Sequence, residues 1–135
     1  CPGMKFGGLY GGDTSYKRVS QFSFSIGDMN PIHLRDDAGK KCGFNGRVIP
    51  GRFIGSLVEG IISCFHIFRD PILQSVQEDY KKSVRQGEKL QFTFRVLRIR
   101  KAKERGRFLI VLGFWAHDES RDMVIIGTHN FLVSR

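Results

Sequence analysis

The sequence predicts one α+β domain, in which an antiparallel sheet curls around a long buried helix. An apolar segment with helical periodicity at residues 53–68 indicates the helix, and later segments that alternate apolar and polar residues indicate strands. The chain has 135 residues, 41% hydrophobic and 26% charged, so it can bury one core and is too short for a second domain. Its 12 Phe residues exclude the low-aromatic composition of disordered chains.

The N-terminal part carries the weakest pattern. Residues 1–15 are rich in glycine, which disfavours a long regular element, so we expect a loose N-terminal arm or a short edge strand. Residues 15–26 fit a short helix capped by Thr14 or Ser15. The alternation of apolar residues from 22 to 26 fits a strand equally well.

A polar loop and the main helix follow. Pro31 disfavours helical geometry at the residue before it, so we expect a structured turn with polar side chains at residues 27–37. Pro50 and Gly51 then open the apolar segment. Its hydrophobic residues cover nearly every side of a helix, so other structure must surround it.

The second half of the chain changes to period two. Strands are expected at residues 90–96, 107–116 and 123–134, joined by turns at 101–106 and 118–122. Residues 77–84, before a turn at Gly87, are expected to add one more strand. A meander after one long helix is typical of an α+β domain.

Charge and hydropathy limit the possible partners. The formal net charge is +9, from 22 Lys and Arg against 13 Asp and Glu, which favours an anionic partner: nucleic acid, phosphate groups or an acidic protein surface. Glu59 and His66 interrupt the apolar segment and Arg52 and Arg69 flank it, so it is shorter than the ~20 residues of a bilayer span. We expect no membrane association.

The cysteines indicate a reducing compartment. Cys1, Cys42 and Cys64 form neither a disulfide framework nor a CxxC motif. Cys64 is expected to be a small buried hydrophobe, and Cys42 follows two lysines but lacks a base partner.

The N-terminus bears on localisation. We expect either that Met4 is the natural start or that a presequence has been removed, and accordingly a cytoplasmic or a mitochondrial matrix location.

The densest group of polar residues is Asp28, Asn30 and His33. A carboxylate and an imidazole stand five positions apart on a loop that Pro31 restrains, and such a pair can hold and deprotonate a water molecule. The alternative is that these side chains cap the loop or satisfy backbone donors. Gly51 offers a backbone N–H at the positive end of a helix dipole, which suits a carbonyl oxygen that gains negative charge. The alternative there is that Pro50 and Gly51 only begin the helix.

Taken together, these residues resemble a known motif. GDMNPIHL at residues 27–34, followed by F-x-GRVIPG at residues 44–51, is similar to the hydratase motif of the MaoC-like family, which includes (R)-specific enoyl-CoA hydratases and 3-hydroxyacyl-thioester dehydratases. The spacing agrees as well, with eighteen positions from His33 to Gly51. The match is tight over residues 25–57 and looser over the later strands.

The resemblance implies a hot-dog fold, usually paired into a homodimer, with the acyl chain in a tunnel beside the central helix. It implies that Asp28 and His33 are catalytic and hold the water that adds to C3 of a trans-2-enoyl thioester, while the Gly51 N–H polarises the thioester carbonyl. Asn30, Pro50 and Ser56 would line the substrate-binding pocket and contact the substrate. The product would be an (R)-3-hydroxyacyl thioester of coenzyme A or an acyl carrier protein, and no metal or other cofactor is expected.

Three departures from the family pattern stand out. Pro50 replaces a His that often precedes the glycine, Glu59 stands where bacterial members commonly have Ser, and the region before Gly27 is short. The resemblance to bacterial hydroxyacyl-carrier-protein dehydratases is weaker, because the His-Phe-Pro-Gly turn is absent. A thioesterase of the same fold is a further alternative, although such enzymes commonly lack the Asp-x-Asn-Pro-x-His combination.

A basic run and three histidines remain. The basic residues are Arg95, Arg98, Arg100, Lys101, Lys103, Arg105 and Arg107, against the single acid Glu104. The run fits the solvated tip of a hairpin, a landing patch in which Arg98 and Arg100 bind coenzyme A phosphates or an acidic carrier protein, or a non-catalytic module that binds nucleic acid or an acyl ligand. His66, His117 and His129 lack metal-ligand spacing and are expected to be ordinary surface or hydrogen-bonded residues.

Overall fold

The computed structural model describes residue 3, residues 5–10 and residues 14–135. The elements in chain order are β1 (Lys5–Tyr10), α1 (Tyr16–Ile26), α2 (Pro31–Leu34), α3 (Asp36–Lys41), α4 (Gly51–Cys64), β2 (Ile72–Tyr80), β3 (Leu90–Lys101), β4 (Arg107–His117) and β5 (Met123–Ser134).

The described strands form one five-stranded antiparallel sheet in the order β1-β3-β4-β5-β2. β3, β4 and β5 are consecutive hairpins, and their turns lie where the sequence predicts them. In the register of the sheet, Phe94 lies opposite Phe114 on β4, and Ala116 lies opposite Ile125 on β5. The predicted antiparallel meander is therefore confirmed.

Helix α4 packs its apolar side against this sheet. One cluster joins buried residues of the helix with buried residues of the strands: Phe53, Ile54, Leu57, Val58 and Ile62 with Phe92, Phe94, Leu112, Phe114, Ile125 and Phe131. The predicted sheet around one long helix is confirmed. The opposite side of α4 is exposed at Ser56, Gly60 and Ser63, so in the single chain the helix is covered on one side only.

The C-terminal end of α4 differs from the prediction. The helix ends at Cys64 rather than at residue 68, because His66 adopts a left-handed backbone with φ of 48°. Cys64 is exposed, so the expectation that it is a buried hydrophobe is wrong. Phe65 is 74% exposed.

Strand β2 also lies earlier than predicted. It spans Ile72–Tyr80 rather than 77–84, because the backbone N–H groups of both Lys81 and Lys82 turn to the carbonyl of Val124 and end the ladder. Val84 then leaves the sheet, and its carbonyl accepts a hydrogen bond from the Ile49 N–H at 2.9 Å. Residues 84–86 therefore support the segment before α4.

The N-terminal alternatives are resolved where the chain is described. Lys5–Tyr10 is a short edge strand paired with β3, so a loose arm is wrong for these residues; residues 1, 2, 4 and 11–13 of that prediction lie outside the described residues. Residues 16–26 form a helix with Ser15 as its N-cap. Thr14 instead donates its hydroxyl hydrogen to the Glu88 carbonyl.

In the described part of the chain, no helix has the length and apolarity that crossing a membrane requires. The described cysteines, Cys42 and Cys64, are free and exposed.

Candidate active site

The loop between α1 and α2 is built by Asp28 and Asn30. Gly27 ends α1 in a left-handed conformation with φ of 75°, where a residue with a side chain would be strained. The Asn30 N–H donates to Asp28 Oδ1 at 3.1 Å, and Asn30 Oδ1 accepts from the Ile32 N–H at 3.3 Å, which caps α2. Pro31 occupies the first position of α2, where its missing N–H costs nothing.

His33 is held in one orientation by a backbone carbonyl. Its Nδ1 lies 2.9 Å from the Val48 carbonyl oxygen. Because a carbonyl only accepts hydrogen bonds, Nδ1 carries the proton of the neutral ring and Nε2 is left as the basic nitrogen. Nε2 lies 3.7 Å from Asp28 Oδ2, and the exposed fractions of the two side chains are 12% and 33%.

Backbone hydrogen bonds join this loop to the segment that enters α4. The Gln86 side-chain amide donates to the His33 carbonyl at 2.9 Å. The Val48 N–H donates to the Ile32 carbonyl at 3.1 Å, and Val48 also forms an isolated bridge with Arg85. The imidazole is therefore fixed to the strand-like segment that leads into the main helix.

Gly51 is the first residue of α4, directly after the N-cap Pro50. Its N–H belongs to the first helical turn, where no intrahelical acceptor exists and the positive end of the helix dipole lies. Gly51 is three positions after Val48, a span of at most roughly 10 Å. A Cβ at position 51 would lie 2.8 Å from the ring of Tyr80, so a larger residue here would have to displace that ring.

The structure thus brings Asp28, Asn30 and His33 together, and the hydrogen bond from His33 to Val48 connects them to the segment that leads into Pro50 and Gly51. An open cleft of about 620 Å³ adjoins the same segment. Its lining includes Phe44, Val48, Arg85 and Gln86, but none of the five predicted residues named above is among the residues that line it.

The other residues predicted to bind substrate are placed differently. The Ser56 hydroxyl donates to the Phe53 carbonyl at 2.8 Å, on the exposed side of α4. Arg98 and Arg100 lie in the C-terminal half of β3, and both side chains are exposed. Among the described residues, no hydrogen bond or ion pair joins either arginine to Asp28 or His33.

A buried network under α4 was missed from the sequence. Glu78 of β2 and His129 of β5 have side chains that are 3% and 0% exposed, and they lie 2.8 Å apart between Oε1 and Nε2. The period-two pattern of residues 123–134 does place His129 on the inner face of β5, but it gives no indication of the partner. Glu59, which the sequence left as either a solvent-reaching side chain or an extra charge, is 32% exposed and lies 3.5 Å from His129 Nδ1.

The network keeps the Glu78 carboxylate ionised. Burial raises the pKa of Glu78, but hydrogen bonds from Tyr80 and His129 and the charge of Arg52 outweigh burial and lower it overall. Burial and the adjacent Glu78 carboxylate raise the pKa of Tyr80. Among the described residues, no three His, Cys, Asp or Glu side chains are grouped as metal ligands.

Comparisons with known proteins agree with this architecture. The model of the family described as FAS1-like, dehydratase domain region matches residues 2–125. No curated protein sequence matches the chain.

Solved structures share the fold over almost the full length. The (R)-hydratase from A. caviae involved in PHA biosynthesis has a TM-score of 0.83 at 18% identity, covering 97% of this chain and 95% of that one. The MaoC-like dehydratase from Rhodospirillum rubrum has a TM-score of 0.81 at 17% identity, covering 100% and 93%. The HadBC (3R-hydroxyacyl-ACP dehydratase) complex from Mycobacterium tuberculosis has a TM-score of 0.81 at 15% identity, covering 97% and 96%. The implied hot-dog fold is confirmed, and the chain belongs to the family of FAS1-like dehydratase domain regions.

Proposed function

We propose that this protein is a hydro-lyase that reversibly hydrates trans-2-enoyl thioesters to (R)-3-hydroxyacyl thioesters. The observation that carries the proposal is the His33 ring, whose Nδ1 is fixed on the Val48 carbonyl so that the basic Nε2 faces Asp28. Membership in a dehydratase family supports the reaction class. The (R)-hydratase and the MaoC-like dehydratase that share the fold support it as well.

The proposed reaction begins with a water molecule between Asp28 and His33. The water oxygen bonds to C3 while a proton of the water passes to this pair, and the C2–C3 π electrons move toward the thioester carbonyl. The Gly51 N–H donates to the resulting enolate oxygen. The pair then returns the proton to C2, the carbonyl reforms, and the reverse sequence is dehydration.

The thioester would enter along the segment that carries Pro50 and Gly51. We propose that Asn30 and Pro50 shape the pocket around the reacting carbons, whereas Arg98 and Arg100 would contact only a coenzyme A or carrier-protein moiety that extends far from the reacting carbons. We also propose that the protein is a homodimer, as the resemblance implies.

Hydration of crotonyl-CoA tests the proposal. The wild-type protein should consume the enoyl absorbance, and Asp28→Asn or His33→Ala should each lower kcat by at least about 100-fold, because each removes a group that transfers or orients the proton. The matched controls are Asp70→Asn and His66→Ala, the same two residue types at exposed positions beyond α4. These controls should retain the wild-type rate.

Two outcomes would contradict this function. One is a wild-type protein that is inert toward enoyl thioesters of every chain length tested. The other is full activity in both site variants.

A second candidate function is binding of nucleic acid by the β3–β4 hairpin. In the described part of the chain, no ion pair involves Arg98, Arg100 or Lys101, and all three side chains are exposed. Unpaired cations of this kind suit phosphate backbones. The exposed large apolar residues beside them, Leu97 and Ile99, are not aromatic and offer no stacking platform.

A gel shift at several salt concentrations tests this second candidate. Binding that weakens steeply with salt, and that disappears when Arg98, Arg100 and Lys101 are all changed to Gln, would support it. Changing Lys17, Lys40 and Lys41 to Gln removes the same charge elsewhere and is the control. No binding at low salt would rule the candidate out.

A further inference from the structure

A network of hydrogen-bonded, charged side chains packs against the first turns of α4, and the proposed reaction does not use it. Glu78 of β2 is its centre. Glu78 Oε2 accepts from Arg52 Nη1 at 2.7 Å and from the Tyr80 hydroxyl at 2.5 Å, and Oε1 accepts from His129 Nε2 at 2.8 Å. Three donors on one carboxylate that is only 3% exposed make a strongly restrained group.

This carboxylate and the neighbouring Tyr80 contact the helix backbone directly. A Cβ at Gly51 would lie 2.8 to 3.0 Å from three ring atoms of Tyr80. A Cβ at Gly55, one turn later, would overlap the carboxylate of Glu78. The two glycines share one face of α4, so a side chain at either position would have to displace Tyr80 or Glu78.

The network links the helix to β2 and β5 at the same time. Arg52 belongs to the first turn of α4, directly after Gly51, and its guanidinium binds Glu78. His129 of β5 holds the opposite oxygen of Glu78 from inside the core. The position of the first helical turn relative to β2 is therefore set by Glu78 and Tyr80 from the strand, and by Arg52 from the helix.

We propose that Glu78 and Tyr80 are positioning residues that fix the Gly51 amide where it meets the thioester oxygen. This inference rests on the proposed function. Neither side chain takes part in proton transfer. The Tyr80 ring limits how closely Gly51 can approach β2. Glu78 holds Tyr80 and Arg52 by hydrogen bonds and packs against Gly55. An amide that acts on developing charge must be aligned before reaction, since a misplacement of about 1 Å costs on the order of 100-fold in rate.

Steady-state kinetics with crotonyl-CoA form the first arm of the test. Tyr80→Phe and Glu78→Gln should each lower kcat about tenfold or more with little change in KM, because the Gly51 N–H acts on charge that forms only in the transition state. Tyr16→Phe and Glu104→Gln make the same chemical changes elsewhere and should retain the wild-type kcat. Tyr80→Phe removes one hydroxyl from a side chain that is 47% exposed, so it carries the test if Glu78→Gln does not fold.

The amide signal of Gly51 forms the second arm and needs no activity. In ¹⁵N-edited NMR spectra, Tyr80→Phe should shift the Gly51 amide resonance, and Tyr16→Phe should leave it in place. A wild-type protein without hydratase activity whose Gly51 signal nevertheless shifts in Tyr80→Phe would refute the proposed function and support the positioning of the amide. Unchanged kcat and an unmoved Gly51 signal in Tyr80→Phe would overturn the inference.

Discussion

Hydrogen bonds to individual side chains decide much of the chemistry in this protein. His33 Nδ1 lies 2.9 Å from the main-chain carbonyl of Val48, so this hydrogen bond fixes the tautomer of the neutral ring. Asp118 is likewise controlled by its hydrogen bonds, but its role is to stabilise a turn. Its side chain is 2% exposed, binds Lys82 Nζ at 2.6 Å and accepts from the Asp122 N–H at 2.9 Å, which closes the β4–β5 turn.

The ionisation of Asp118 predicts a pH dependence of stability. Burial raises the pKa of Asp118, but the hydrogen bonds from Lys82 and from backbone N–H groups outweigh burial and lower it below its ordinary value. A carboxyl group whose folded-state pKa is lowered stabilises the protein above its unfolded-state pKa, and this contribution is lost as the pH falls through the folded-state pKa.

Asp118→Asn should therefore lower the free energy of unfolding by about 1–3 kcal/mol at pH 7, and the difference from wild type should shrink below about pH 4. Urea unfolding at pH 7 and at pH 3 measures both quantities. Asp79→Asn, at an exposed position of β2, is the control and should change the free energy little. A difference that grows toward low pH would contradict the assignment.

Two glycines in the helices differ in how closely other residues approach them. α3 packs so closely on the loop before α4 that a Cβ at Gly39 would overlap the carbonyl of Gly46. On α4, by contrast, a Cβ at Gly60 would have no neighbour within 4 Å. Gly39 is therefore a close approach to backbone atoms, whereas Gly60 has open space beside it.

Alanine at these two positions should have opposite effects on stability. Gly39→Ala should lower the free energy of unfolding by about 1–3 kcal/mol, because either the helix or the loop must move. Gly60→Ala should raise it by about 0.5–1 kcal/mol, because alanine favours the helix and restricts the unfolded chain. Denaturant unfolding of both variants tests the contrast, and a stabilising Gly39→Ala would show that the contact is not restrictive.

At the scale of the whole molecule, β2 presents an exposed sheet edge. β2 is an edge strand of the described sheet, and it carries the exposed apolar residues Ile72, Leu73, Val76 and Tyr80. Open apolar edges pair readily with another strand. This edge is therefore the surface on which the proposed homodimer would form.

Sedimentation should give twice the chain mass of 15.4 kDa for the wild-type protein. Val76→Lys, in the middle of β2, should shift the protein toward the monomer, since a buried unpaired charge opposes association. Ile99→Lys places the same charge on an exposed apolar position of β3 and should leave the mass unchanged. A monomeric wild-type protein would disprove the dimer.

The sequence by itself determined the parts of this protein that depend on local pattern. The period-two segments located β3, β4 and β5 together with their turns, and Pro31, Pro50 and the glycine after it marked the loop and the start of α4. Residues 15–26 remained ambiguous because an alternation of three aromatic and aliphatic residues fits both periods. There the burial of Val19, Ser20 and Ser23 on one face decided for the helix.

Only the tertiary structure decided which distant groups meet. Val48 is fifteen positions from His33, Arg52 is twenty-six from Glu78, and His129 is fifty-one from Glu78. These pairs form because the strand register and the position of α4 on the sheet bring the residues together. No periodicity along the chain encodes the register or the position of the helix. The motif could therefore name Asp28, His33 and Gly51, whereas the tautomer of His33 and the buried support beneath Gly51 follow from packing alone.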